Sequence, residues 1–60
     1  MTTQKNFYEI IINKGEMFSN VGEQIVKTSV AYGMINLALK KGIAKLIIDT
    51  DTTLFYHISI

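Results

Sequence analysis

Apolar and polar positions change rhythm along this chain, and the changes divide it into four elements. From Asn6 to Asn13 the apolar residues are aromatic or β-branched, which suits a strand. Tyr8, Ile10 and Ile12 fall on one face, and Phe7, Glu9 and Ile11 on the other. Asn13-Lys14-Gly15 is a turn signal that ends the strand. From Asn20 to Lys41 the rhythm is helical. Asn20 stands as a cap with Glu23 three residues on, and Ser19 is the competing cap. Lys40 and Lys41 suit the far end of the dipole, and Gly42 suits a left-handed closing residue. Ala44–Asp49 and Thr53–Ile60 alternate again and read as strands, with Thr50-Asp51-Thr52 as the turn between them. Leu54, Tyr56, Ile58 and Ile60 are expected to face the helix. The polar residues 1–5 are expected to be loose or disordered.

The expected fold is α+β with element order β-α-β-β: one helix packed on a three-stranded sheet. The first two strands would be joined through the helix as in a parallel crossover, and the last two as a hairpin. On a wheel of the 20–41 segment, Val21, Ile25, Tyr32 and Leu39 make one large-residue ridge. Val26, Val30 and Leu37 make a second, ~140° away, wider than the stripe of an ordinary surface helix. Between them run the small residues Gly22, Ser29 and Gly33. One ridge can lie on the sheet. The second, with Gly22, Val26, Ser29, Val30, Gly33 and Leu37, is expected to meet a partner helix. The competing expectation is that the small residues fit the domain's own sheet.

Composition sharpens the expectation of self-association. The chain has 60 residues, of which 48% are hydrophobic, and no cysteine. A domain this small buries only about 60% of the surface its unfolded chain exposes, and such folds usually need a disulfide, a metal or a partner chain. Disulfides are excluded, and His57 is the only histidine. A homodimer is therefore the expected staple. The N-terminal stretch lacks a signal-peptide layout, and no apolar run approaches the ~20 residues of a membrane span. A cytoplasmic location and no membrane association are expected.

Charge and residue usage bound the partners. The formal charge is +1, and all six basic residues are lysines. Without arginine the chain lacks the planar fork that reads guanine or clamps phosphate, so nucleic acid is not the expected partner. Abundant isoleucine and lysine in place of arginine is the bias of AT-rich genomes, including many phages and mobile elements.

Four groups of residues carry candidate chemistry. Leu46-Ile47-Ile48-Asp49-Thr50-Asp51-Thr52-Thr53-Leu54 resembles the first motif of haloacid-dehalogenase-type phosphatases, in which an apolar strand precedes D-x-D-x-T. The resemblance implies Asp49 and Asp51 as nucleophile and acid/base. The family's usual glycine is replaced by Thr52, and this chain is too short for the remaining motifs. Turn chemistry is the expected role, because Asp and Thr side chains bond nearby backbone N–H groups. Lys40, Lys41 and Lys45 are candidate phosphate contacts, or simply solvate the helix end. Tyr8, Tyr32 and Tyr56 are expected to pack between helix and sheet. On the outer sheet face, Phe7, Ile11, Ile47 and Phe55 are expected to form an apolar centre. Glu9, Lys45, Asp49, Thr53 and His57 would ring it, which is the composition of a protein interface.

No catalytic residue, cofactor or metal site is expected. The function expected is a small, non-enzymatic, homodimeric protein-binding module. Its expected setting is that of a phage or mobile-element inhibitor of a bacterial defence or regulatory enzyme, with a host protein as partner. Two alternatives stand beside it: a dimeric nucleic-acid-binding regulator using the lysines, and a small subunit of a larger assembly.

Overall fold

The computed structural model describes residues 6–60, so the expectation for 1–5 lies outside the described residues. Five strands and one helix follow in the order β1 (Phe7–Asn13), β2 (Phe18–Val21), β3 (Gln24–Lys27), α1 (Thr28–Lys41), β4 (Ala44–Asp49) and β5 (Thr53–Ser59). They form one sheet of strand order β3-β2-β1-β5-β4, antiparallel throughout, with the helix packed on one side.

The fold is α+β with one helix on a sheet, but the sheet has five strands rather than three. Residues 20–27, expected to open a long helix, instead carry most of a hairpin. Gly22 is the reason. Its φ of +59° is the only positive value in the two-residue turn Gly22-Glu23, the pattern of a type II′ hairpin turn, which wants glycine first. The β-branched pair Ile25-Val26 then prefers a pleated surface to a helix. Nor is there a parallel crossover: β1 pairs with β5, from Phe7↔Ser59 to Asn13↔Thr53, and β4 lies beyond β5 at the edge.

The helix starts at Thr28 directly from Lys27, which is still extended and makes no side-chain cap. The cap role expected of Asn20 is therefore absent, since Asn20 sits in β2. The helix end is as the sequence signals: Gly42 is left-handed at φ +73°, and the Ile43 N–H bonds the Ala38 carbonyl at 3.0 Å.

Ile10 and Ile12 of β1, Ile58 of β5, and Ala31, Ile35 and Ala38 of the helix form the buried centre. Tyr8, Val21, Val26, Met34, Leu54 and Tyr56 pack around it. Small Ala31 and Ala38 at helical spacing let α1 lie close to the sheet. Tyr32 does not join Tyr8 and Tyr56 there but stands exposed on the helix. Within β4 a bulge shifts the register between Leu46 and Ile48: Leu46 pairs with Tyr56, but Ile48 pairs with Phe55 and Asp49 with Leu54. The extra residue moves Ile48 to the outer side and Asp49 to the helix side.

Candidate protein-binding surfaces

Two separate sides of this small domain expose apolar side chains. The first is the sheet face turned away from the helix. Pairing across the ladder puts Ile25, Asn20, Ile11, Phe55 and Ile48 in one row that crosses all five strands. Ile11 and Phe55 are half-buried by their neighbours, whereas Ile25 and Ile48 are exposed. Phe18 lies toward one end of this face and Phe7 toward the other. The Phe7 ring stacks on His57 with centroids 4.5 Å apart, and His57 pairs in register with Glu9 on one side and Lys45 on the other.

Of the outer-face residues expected from sequence, Phe7, Ile11, Phe55 and His57 share this face. Ile47 is the extra residue of the bulge, and Ile48 takes its place beside Phe55. Asp49 also leaves the expected ring. Phe18 and Ile25 also belong to this face, although the sequence pattern places the first in a loop and the second in the helix. The signal for that hairpin is Gly22-Glu23, which suits a type II′ turn, followed by the β-branched pair Ile25-Val26.

The second side is the solvent face of the helix. Val30 is 50% and Leu37 59% exposed, and between them Gly33 has no atom within 4 Å of where a Cβ would stand. The expected fit of Gly33 to the domain's own sheet is therefore excluded. Leu37 also lines a small groove with Tyr8, Met34, Ala38, Lys41 and Ile43. The six residues expected to form one helical seam do not stay together. Ser29, Val30, Gly33 and Leu37 are on the helix, Gly22 is in the β2–β3 turn, and Val26 packs on the core from β3.

The remaining candidates are placed as follows. Lys40 and Lys41 end the helix, while Lys45 pairs with His57 on the opposite side of the sheet, so the three lysines form no single patch. Asp49 is engaged by Lys14, whose Nζ donates to the Asp49 carboxylate at 2.7 Å and to the Thr50 carbonyl at 2.6 Å. That bond holds the Lys14 pKa above the ordinary lysine value. The β4–β5 turn is organised by Thr50 and not by its aspartates. The Thr50 Oγ1 accepts from the Thr53 N–H at 3.0 Å and the Thr52 N–H at 3.3 Å. Among the described residues no three His, Cys, Asp or Glu side chains gather where they would hold a metal, and no helix is long and apolar enough to cross a membrane.

No protein-family model matches the chain, and no significant match was found among curated proteins or solved structures.

Proposed function

We propose that this chain is a non-enzymatic, homo-oligomeric protein-binding module that acts by covering a surface of its partner. One observation supports it above the others: a single small domain leaves apolar side chains uncovered on two different sides, Ile25 and Ile48 on the sheet and Val30 and Leu37 on the helix. Exposed apolar patches rimmed by polar groups are the usual mark of protein association. One side serves self-association and the other a second protein. The residue usage of the chain extends the proposal to a phage or mobile-element inhibitor of a bacterial enzyme, working in the host cytoplasm. The split of Lys40 and Lys41 from Lys45 weighs against a phosphate-reading surface.

The test is affinity capture from bacterial lysate, followed by titration of the purified partner with wild type, Leu37→Asp and Ile48→Asp. One of the two changes should weaken partner binding by about 30-fold or more, equivalent to ~2 kcal/mol. Affinity should change little between low and moderate salt, because phosphate contacts are not involved. Binding that ignores both changes, or that collapses with salt, defeats the proposal.

A further inference from the structure

The geometry points to a second copy of this chain as the occupant of the outer sheet face. The two sheets would pack face to face about a two-fold axis running across the strands. This rests on the oligomeric reading above and adds which surface makes the oligomer, in what arrangement.

The first support is shape. The Ile25–Asn20–Ile11–Phe55–Ile48 row spans the full width of the sheet, and four of its five members are apolar. A copy turned over about that row lays each apolar residue near its own equivalent. Two sheets stacked this way sit about 10 Å apart and build an ordinary sandwich core.

The second support is charge. Two-fold interfaces must be self-complementary. On the β3 side of the face, Glu23 occupies the turn at one end and Lys27 the other end. On the β4 side the order is reversed: Lys45 lies level with Glu9, and Asp51 lies in the turn at the opposite end. The signs alternate around the four corners. Turning a copy over across the strands brings Glu23 to Lys27 of the second copy and Lys45 to its Asp51. Turning it over along the strands would also match the corners, but it would stack Glu9 on Glu9 at the axis. The across-strand axis sets Glu9 opposite Asn13 instead. Asp49 takes no part, because Lys14 already engages it.

The third support is size. Five strands ~4.8 Å apart, with about six residues each rising ~3.3 Å, give a flat area on the order of 500 Å². Side-chain relief raises the accessible area toward the ~800 Å² per partner of a stable interface. The exposed helix stripe is a single helix wide and falls short of that.

The experiment is sedimentation equilibrium of the full chain over about 1–100 µM, with far-UV circular dichroism as the folding control. Wild type should be a dimer. Ile25→Asp and Ile48→Asp should raise its dissociation constant about 30-fold or more. Ile25 is 72% exposed, so that change is not expected to unfold the monomer. Leu37→Asp should leave the dimer intact. Lys45→Glu should weaken it several-fold, and adding Asp51→Lys should restore it. A monomeric wild type overturns the proposal. So does a dimer that Leu37→Asp dissociates and Ile25→Asp does not, and rescue by Glu23→Lys in place of Asp51→Lys overturns the axis. A dimer that behaves as expected but finds no partner would defeat the binding-module reading and leave this one standing.

Discussion

The hydroxyl of Ser19 lies 2.7 Å from the hydroxyl of Thr28, joining the middle of β2 to the first residue of the helix. The donor is fixed by elimination. Thr28 gives its only hydroxyl proton to the Glu16 carbonyl at 2.8 Å, so Ser19 donates to Thr28. Ser19 in turn accepts from the Asn13 N–H at 3.0 Å. This chain of bonds, with the Thr28 N–H on the Met17 carbonyl at 2.8 Å, ties the first residue of the helix to β2 and to the loop before it.

Ser19 is only 1% exposed, so its loss leaves buried groups without partners. Ser19→Ala should destabilise by about 1–3 kcal/mol. Thr28→Val should cost a similar amount. The double variant should cost less than the sum, because both changes break one network. Urea unfolding of the four proteins measures this, and strict additivity would show that the two hydroxyls act independently.

Turn chemistry at the β4–β5 hairpin separates Thr50 from Asp51. Thr50→Ala removes the acceptor for two backbone N–H groups and should lower stability by about 1 kcal/mol. Asp51→Asn is an exposed change and should stay within ~0.5 kcal/mol. Thermal melts decide, and a larger loss at Asp51 would return the turn to its aspartates.

The raised pKa of Lys14 gives a signed prediction in alkali. Its bond to Asp49 contributes stability that is fully present below the ordinary lysine pKa of about 10.4. That contribution is lost as pH rises through the higher folded value. The pair is exposed, so the effect is small. The urea midpoint of wild type should fall more steeply above pH ~10.5 than that of Lys14→Met, which has no such group to deprotonate. Parallel curves would show that the ion pair adds nothing.

Gly33 sits inside the helix with open space around it. Gly33→Ala should therefore stabilise the domain by up to ~1 kcal/mol, through helix propensity alone. A lowered melting midpoint at constant protein concentration would mean that a second chain packs against Gly33.

The strands β1, β4 and β5 were legible as short runs rich in β-branched and aromatic residues bounded by turn signals, whereas their order in the sheet and the pairing of β1 with β5 were not, because the linking helix suggested a parallel crossover. The helix end was legible in Lys40-Lys41-Gly42. The segment Phe18–Lys27 was not, because Asn20 and Glu23 imitate a capping box, and Val21, Ile25 and Tyr32 fall on one side of a helical wheel as readily as on strands. The positive-φ backbone of Gly22 and the β-branched pair Ile25-Val26 separate the two, but glycine is silent about which conformation it will adopt and two β-branched residues are common in helices as well. The bulge at Ile47 was hidden for a related reason: Leu46-Ile47-Ile48 is apolar throughout, so no polar residue marks where the alternation slips.

That slip also governs how the open side of β4 behaves. An uninterrupted edge strand of this composition would be a template, offering a straight row of N–H and C=O groups to the same strand of any passing chain. The doubled residue breaks the even spacing halfway along, and Lys45 adds a charge beside it. A chain trying to add in register matches one half of the strand and misses the other. In-register addition of a further strand along β4 is thereby checked at its first step.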